Sequence, residues 1–200
     1  MTKNFIKKLV VEIKDAVAIL KLDKIKMVAV SQRETATFHS FIFLFFPVVV
    51  NLILFSITFR GGFLGSMFSK FLIWPLLIPV LALIASIFGM SYLAVKHFKL
   101  PQDHVGLFRV ISYASVVSWL SIVPYLLYLL GIMEPTGLYN LISVASFVWA
   151  FVVAYHYFFE YKGLTKENAG MVVLAGIIGS FIAEALLGAI LVGDSYRLLF

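Results

Sequence analysis

Glu184 lies deeper in an apolar run than any other acidic residue of this chain, with no Asp or Glu between Glu167 and Asp194. An ionisable group in hydrocarbon is costly to bury, so it is expected to face protein or water and to act in hydrogen bonding, proton transfer or ion passage. Asn51, Ser121 and Ser146 sit in other apolar runs at matching depth. Counting at 1.5 Å per residue puts Asn51 and Glu184 both about 13 residues, or roughly 20 Å, from the same membrane face. The four are expected to form one buried polar layer facing the bundle interior. A static hydrogen-bonded network around a neutral Glu184 is the plainer reading, and a proton or ion pathway the sharper one.

Other polar groupings are sparser. His156 and Glu160, one helical turn apart, have the types for an acid–base or metal pair, but two ligands without a third make a hydrogen bond or salt bridge the expected outcome. His97, Asp103 and His104 share one link, again short of a ligand set. The chain has no His-Glu-x-x-His, Gly-x-Ser-x-Gly or phosphate-binding glycine loop. With no cysteine, thiolate metal sites, disulfides and cysteine nucleophiles are excluded. No catalytic residue, metal or cofactor is therefore expected, and the chain is read as non-enzymatic.

The elements that must position these residues follow from composition. Hydrophobic residues make up 62% of the 200 and charged residues 13%, with a mean hydropathy of +1.03; soluble domains average about 45–50% apolar and about 25% charged. Five runs, residues 38–59, 71–95, 110–132, 138–159 and 171–193, reach the roughly 20 residues needed to cross a hydrocarbon core of about 30 Å. The expected fold is an all-α membrane protein, a five-transmembrane-helix bundle. Residues 1–37 form an N-terminal cytoplasmic segment and residues 194–200 an external tail, with no room for a separate soluble domain and no cleavable signal peptide expected. The odd span count disfavours a simple inverted-repeat transporter.

The net charge of +6 reads as a membrane-surface property rather than a nucleic-acid one. Lys and Arg number eight before the first span, two in the first link, three in the second, none in the third, two in the fourth and one in the tail, so thirteen fall on one side and three on the other. The positive-inside rule then places the N-terminus in the cytoplasm of a cell membrane and the C-terminus outside.

Residues 3–22 show helical periodicity. Phe5, Ile6, Leu9, Val10, Ile13, Ala16, Val17 and Leu20 make one face, and Lys7, Lys8, Glu12, Lys14, Asp15 and Lys21 the other. This amphipathic helix is expected in the headgroup layer, with Lys3, Lys7, Lys8, Lys14 and Lys21 contacting anionic lipid or a partner; packing on the cytoplasmic ends of the spans is the alternative. Residues 23–37 read as a weaker helical or irregular connector, and residues 60–70 as a link riding at the outer interface. Pro47, Pro75, Pro79 and Pro124 predict kinks. The fifth span carries Ala175, Gly179 and Ala183 on one stripe and Gly176, Ser180 and Gly188 on the next. That face is expected to pack most tightly, within the bundle or in a homo-oligomer.

Residues 108–174 carry a resemblance. Phe108-Arg109-Val110-Ile111-Ser112-Tyr113-Ala114-Ser115 opens a span, Pro124 lies inside it, and Trp149 precedes Glu160-Tyr161-Lys162-Gly163-Leu164-Thr165 and Ala169. The pattern resembles the Yip family of five-span membrane proteins, named for interaction with Ypt/Rab GTPases. Leu20-Lys21-Leu22-Asp23 and Arg33-Glu34-Thr35-Ala36-Thr37 look like its prokaryotic members. This chain departs from them at Val117, where a proline is common, and at Lys162, where a histidine is. The Asp-Leu-Tyr-Gly-Pro type motif of eukaryotic members does not occur, so Rab binding is not implied. The expected function is that of a non-enzymatic membrane protein of Yip type that organises membrane or partner proteins through its cytoplasmic amphipathic helix; the alternative is a small transporter or ion-conducting bundle with a buried polar layer around Glu184.

Overall fold

The computed structural model describes residues 2–58, 63–132, 134 and 136–191, and every regular element among them is helical. After α1 (Thr2–Leu20) and α2 (Lys24–Gln32) come α3 (Ala36–Thr58) and α4 (Phe63–Phe98). A third long segment is built from α5 (His104–Ala114), a 3-10 stretch (Ser115–Ser121) and α6 (Ile122–Leu129). The last two are α7 (Thr136–His156), continued by a π-helical turn (Tyr157–Tyr161), and α8 (Lys166–Leu191). Five stretches, Ala36–Leu54, Leu76–Phe98, His104–Leu129, Gly137–Tyr161 and Lys166–Leu191, are long and apolar enough to span a membrane. This is a membrane-embedded, multi-pass protein. Its outer surface suits lipid, with Leu141, Val144, Ile178, Phe181 and Ile190 all exposed.

The expected span order stands, but the boundaries shift. Residues 63–70, expected in a surface link, are the first two turns of α4, because Gly65 does not stop a helix that the following apolar run propagates. The external tail, residues 194–200, lies outside the described residues. α4 runs unbroken through Pro75 and Pro79.

Pro124 stands third in α6, which follows the 3-10 stretch directly. It donates no hydrogen bond and its ring crowds the carbonyl one turn earlier, which favours a tightened approach to it. Pro47, inside α3, likewise frees the carbonyl of Phe43. Trp119, on the 3-10 stretch, donates its indole N–H to that carbonyl at 3.0 Å. Two irregularities set by proline thus meet and complete each other.

α1 and α2 cap the end of the bundle where α3 and α5 begin. Asp23 caps α2 by accepting from the Lys26 amide at 3.1 Å. The face α1 buries is neither of the two read from its sequence: Ala16 and Ile19 are fully buried, and Glu12 and Asp15 nearly so. Val10, Val11 and Val17, expected on or beside the apolar face, point outward. The apolar pattern alone does not choose the buried face because α2 and α5 offer polar partners, described next.

The most extensive helix contact joins α4 and α8. Of the two small-residue stripes, Gly176 and Ser180 are buried, whereas Ala175, Gly179, Ala183 and Gly188 are only partly covered. A Cβ on Gly176 would collide with the Met90 side chain, and one on Gly179 or Gly188 would meet nothing within 4 Å. Close backbone approach is therefore used at Gly176.

Candidate functional site

Three polar places stand out, and each collects residues from several elements. The first joins the cap to the bundle. Arg33, at the end of α2, donates through Nη2 to Glu12 Oε2 at 2.5 Å and through Nη1 to Asp15 Oδ2 at 3.0 Å. Tyr113, fully buried in α5, donates its hydroxyl to the same Glu12 oxygen at 2.5 Å. Lys26 donates to Asp15 at 2.8 Å, and that carboxylate holds the lysine above its ordinary pKa by hydrogen bonding and charge. His39 Nδ1 lies 3.7 Å from Glu12 Oε1. Beside this cluster Arg109 donates to Thr37 Oγ1 at 2.8 Å and to the Ser31 carbonyl at 2.7 Å. Two buried carboxylates thus find cations and a hydroxyl, which is what allows α1 to turn them inward.

The second place is at the same end of the bundle. Asp103 caps α5 by accepting from the Gly106 amide at 3.0 Å, and its other oxygen accepts from Tyr157 and Lys162, each at 2.5 Å. His97 and His104 take no part in it, and among the described residues no three His, Cys, Asp or Glu side chains are grouped to hold a metal. His156 and Glu160 pair at 2.7 Å across the start of the π turn.

The third place is inside the spans. Asn51 of α3 donates through Nδ2 to Ser121 Oγ at 3.0 Å. Both line a cavity of about 260 Å³ together with Ser115, Ser118, Ser143, Ser146 and Tyr139. The depth count therefore brings Asn51, Ser121 and Ser146 together, although Ser146 turns its hydroxyl to the Ile142 carbonyl at 2.8 Å. Glu184 does not join them. It is exposed and lines a separate groove of about 710 Å³ between α7 and α8. Equal depth fixes a level but not a direction around the helix, and α8 is oriented by Gly176 and Ser180 against α4 rather than by its carboxylate. The expected four-residue layer is thus a three-residue one.

Ser115, Ser118, Ser143 and Tyr139 were not anticipated at this site. The signal for the first two is present in the sequence: Ser112, Ser115, Ser118 and Ser121 recur every third residue. On an α-helix that spacing winds around the surface, whereas at three residues per turn the side chains eclipse. In the 3-10 stretch Ser115, Ser118 and Ser121 accordingly line one cavity.

Of the basic residues on α1, Lys7, Lys8 and Lys14 are exposed, as is Lys21 in the turn that follows, and the side chain of Lys3 lies outside the described residues. Compared with protein-family models, with curated proteins and with solved structures, the chain finds no match in any of the three.

Proposed function

We propose that this is a non-enzymatic membrane protein of Yip type that gathers anionic lipid, and through it other membrane proteins, on the outward face of its N-terminal cap. The observation that carries the reading is the exposed alternation on α1: Lys7, Val10, Val11, Lys14 and Val17 share one helical face, Lys21 follows in the turn just after the helix, and all are exposed. Ile25, at the start of α2 and next to exposed Lys24, has 79% of its surface exposed. A surface of paired lysines and aliphatic side chains fits a headgroup layer, where ammonium groups meet phosphates and the methyl groups enter the acyl boundary. The charge bias of the links supports a cytoplasmic cap.

The test is enrichment of fluorescent phosphatidylglycerol around the full chain in mixed phosphatidylcholine vesicles. Replacing Lys7, Lys14 and Lys21 together by Glu should abolish the enrichment while the bundle stays folded, since all three are exposed. Unchanged enrichment would refute the lipid reading. Enrichment absent from the natural chain too, with a protein bound to the cap in its place, would point to a partner groove.

A second reading, a small transporter or ion-conducting bundle, draws on the interior cavity at Asn51 and Ser121. It predicts flux in proteoliposomes that Asn51→Leu removes; no flux under any imposed gradient would discard it.

A further inference from the structure

The geometry points to a binding site for a neutral, hydroxyl-bearing amphiphile, with its head in the serine-lined cavity and its tail in the groove between α7 and α8. The two spaces adjoin, since Pro79, Ser143 and Phe147 line both. The cavity wall mixes aliphatic side chains with five serines, Tyr139 and Asn51, and one of these polar groups is unsatisfied. Asn51 is 2% exposed, and its Oδ1 is buried without a hydrogen-bond partner among the described residues. Turning the amide over would leave the NH₂ unpaired in its place, so one polar atom of Asn51 faces the cavity unsatisfied in either orientation. A buried polar atom without a partner is costly, and a ligand that supplies the missing bond recovers that cost. A hydroxyl suits either orientation because it both donates and accepts.

Charge decides the class of head. None of the residues lining the cavity is ionisable apart from Tyr139, and no cation lines either space. A phosphate there would be buried without a counter-charge. A neutral head avoids that penalty.

The groove suits the tail. From Val144 to Tyr155 it follows α7 over 12 residues, a rise of about 17 Å at 1.5 Å per step, close to the depth of one leaflet. Apart from Ser143 and Glu184 its walls are aliphatic and aromatic, with Phe147 between Phe151 and Phe181 at centroid distances of 4.9 and 5.7 Å. Several of these side chains, among them Val144, Val148 and Phe181, are also exposed to the surroundings of the bundle, so an amphiphile has a lateral route in from the bilayer. This site is independent of the basic face of α1 and stands or falls without it.

Diacylglycerols and long polyprenols share this chemistry, and competition separates them. The full chain in phosphatidylcholine nanodiscs is irradiated with a diacylglycerol probe carrying a diazirine on one acyl chain, and the adducts are mapped by peptide mass spectrometry. The expected result is saturable labelling of α7 and α8 around Val148 and Phe181, displaced by unlabelled diacylglycerol or polyprenol and not by added phosphatidylcholine. The better competitor identifies the source. Asn51→Leu should weaken labelling at least tenfold. Val148→Trp, at an exposed position that fills the groove without disturbing the core, should abolish it. Labelling unaffected by both substitutions, equal labelling by a phosphatidylcholine probe, or no saturable labelling, as a cavity holding water alone would give, overturns the assignment.

Discussion

The indole N–H of Trp119 donates to the carbonyl of Phe43, the acceptor that Pro47 leaves free one turn along α3. The bond runs between two spans at a depth where water is scarce, so its loss strands a carbonyl in an apolar environment. Trp119→Phe should lower stability by about 1–3 kcal/mol, the cost of an unsatisfied buried group. Pro47→Ala restores an amide N–H within α3, so the double variant should lose less than the sum of the two single ones. A double-mutant cycle on thermal unfolding in detergent reads the difference; strict additivity would show that the bond does not carry the contact.

The cap should loosen when its buried charge pairs are broken. Glu12→Gln leaves Arg33 without its closest carboxylate and weakens the acceptor of Tyr113. Breaking a buried pair costs about 3 kcal/mol, equivalent to roughly a hundredfold faster amide exchange in α1. Hydrogen exchange confined to residues 7–20, with the spans unchanged, checks this.

Lys26 adds a pH term. Its pKa is raised by Asp15, so the bond's contribution is complete below the unfolded lysine value of 10.5 and is lost as pH rises through the higher folded value. Alkaline titration should loosen α1 in the natural chain more than in Lys26→Met, read by the same exchange experiment.

Gly176 and Gly179 should separate under substitution. Gly176→Leu drives a side chain into Met90 and should disrupt the contact between α4 and α8, whereas Gly179→Leu enters open space and should be tolerated. Gly176→Ala should be mild, because Met90 is flexible enough to move. Melting temperatures of the three variants give the order; loss of a homo-oligomer only in Gly179→Leu would assign the stripe of Ala175, Gly179 and Ala183 to self-association.

Much of this fold is legible in the sequence because lipid imposes a length and a polarity that each span must meet alone. Asn51 and Ser121 are brought to one level by counting along two spans that cross in the same direction, and they bond at 3.0 Å. Glu184 escaped the same count because rise along a helix is local while rotation about it depends on neighbours, here Met90 against Gly176. The inward turn of Glu12 was hidden for a related reason. A carboxylate looks like a surface residue until Arg33 and Tyr113, 21 and 101 residues away, are seen to meet it. The three-residue serine period was visible, but it carries meaning only once Ser115–Ser121 is a 3-10 stretch.

The most direct test of the architecture uses the absence of cysteine from the chain. Single cysteines at Lys14, Glu134 and Lys166 are probed in intact cells with a membrane-impermeant maleimide, before and after permeabilisation. Five crossings with a cytoplasmic cap predict that Glu134→Cys reacts at once, and that Lys14→Cys and Lys166→Cys react only when the membrane is opened. Reaction of Lys14→Cys and Glu134→Cys from the same side would contradict the account.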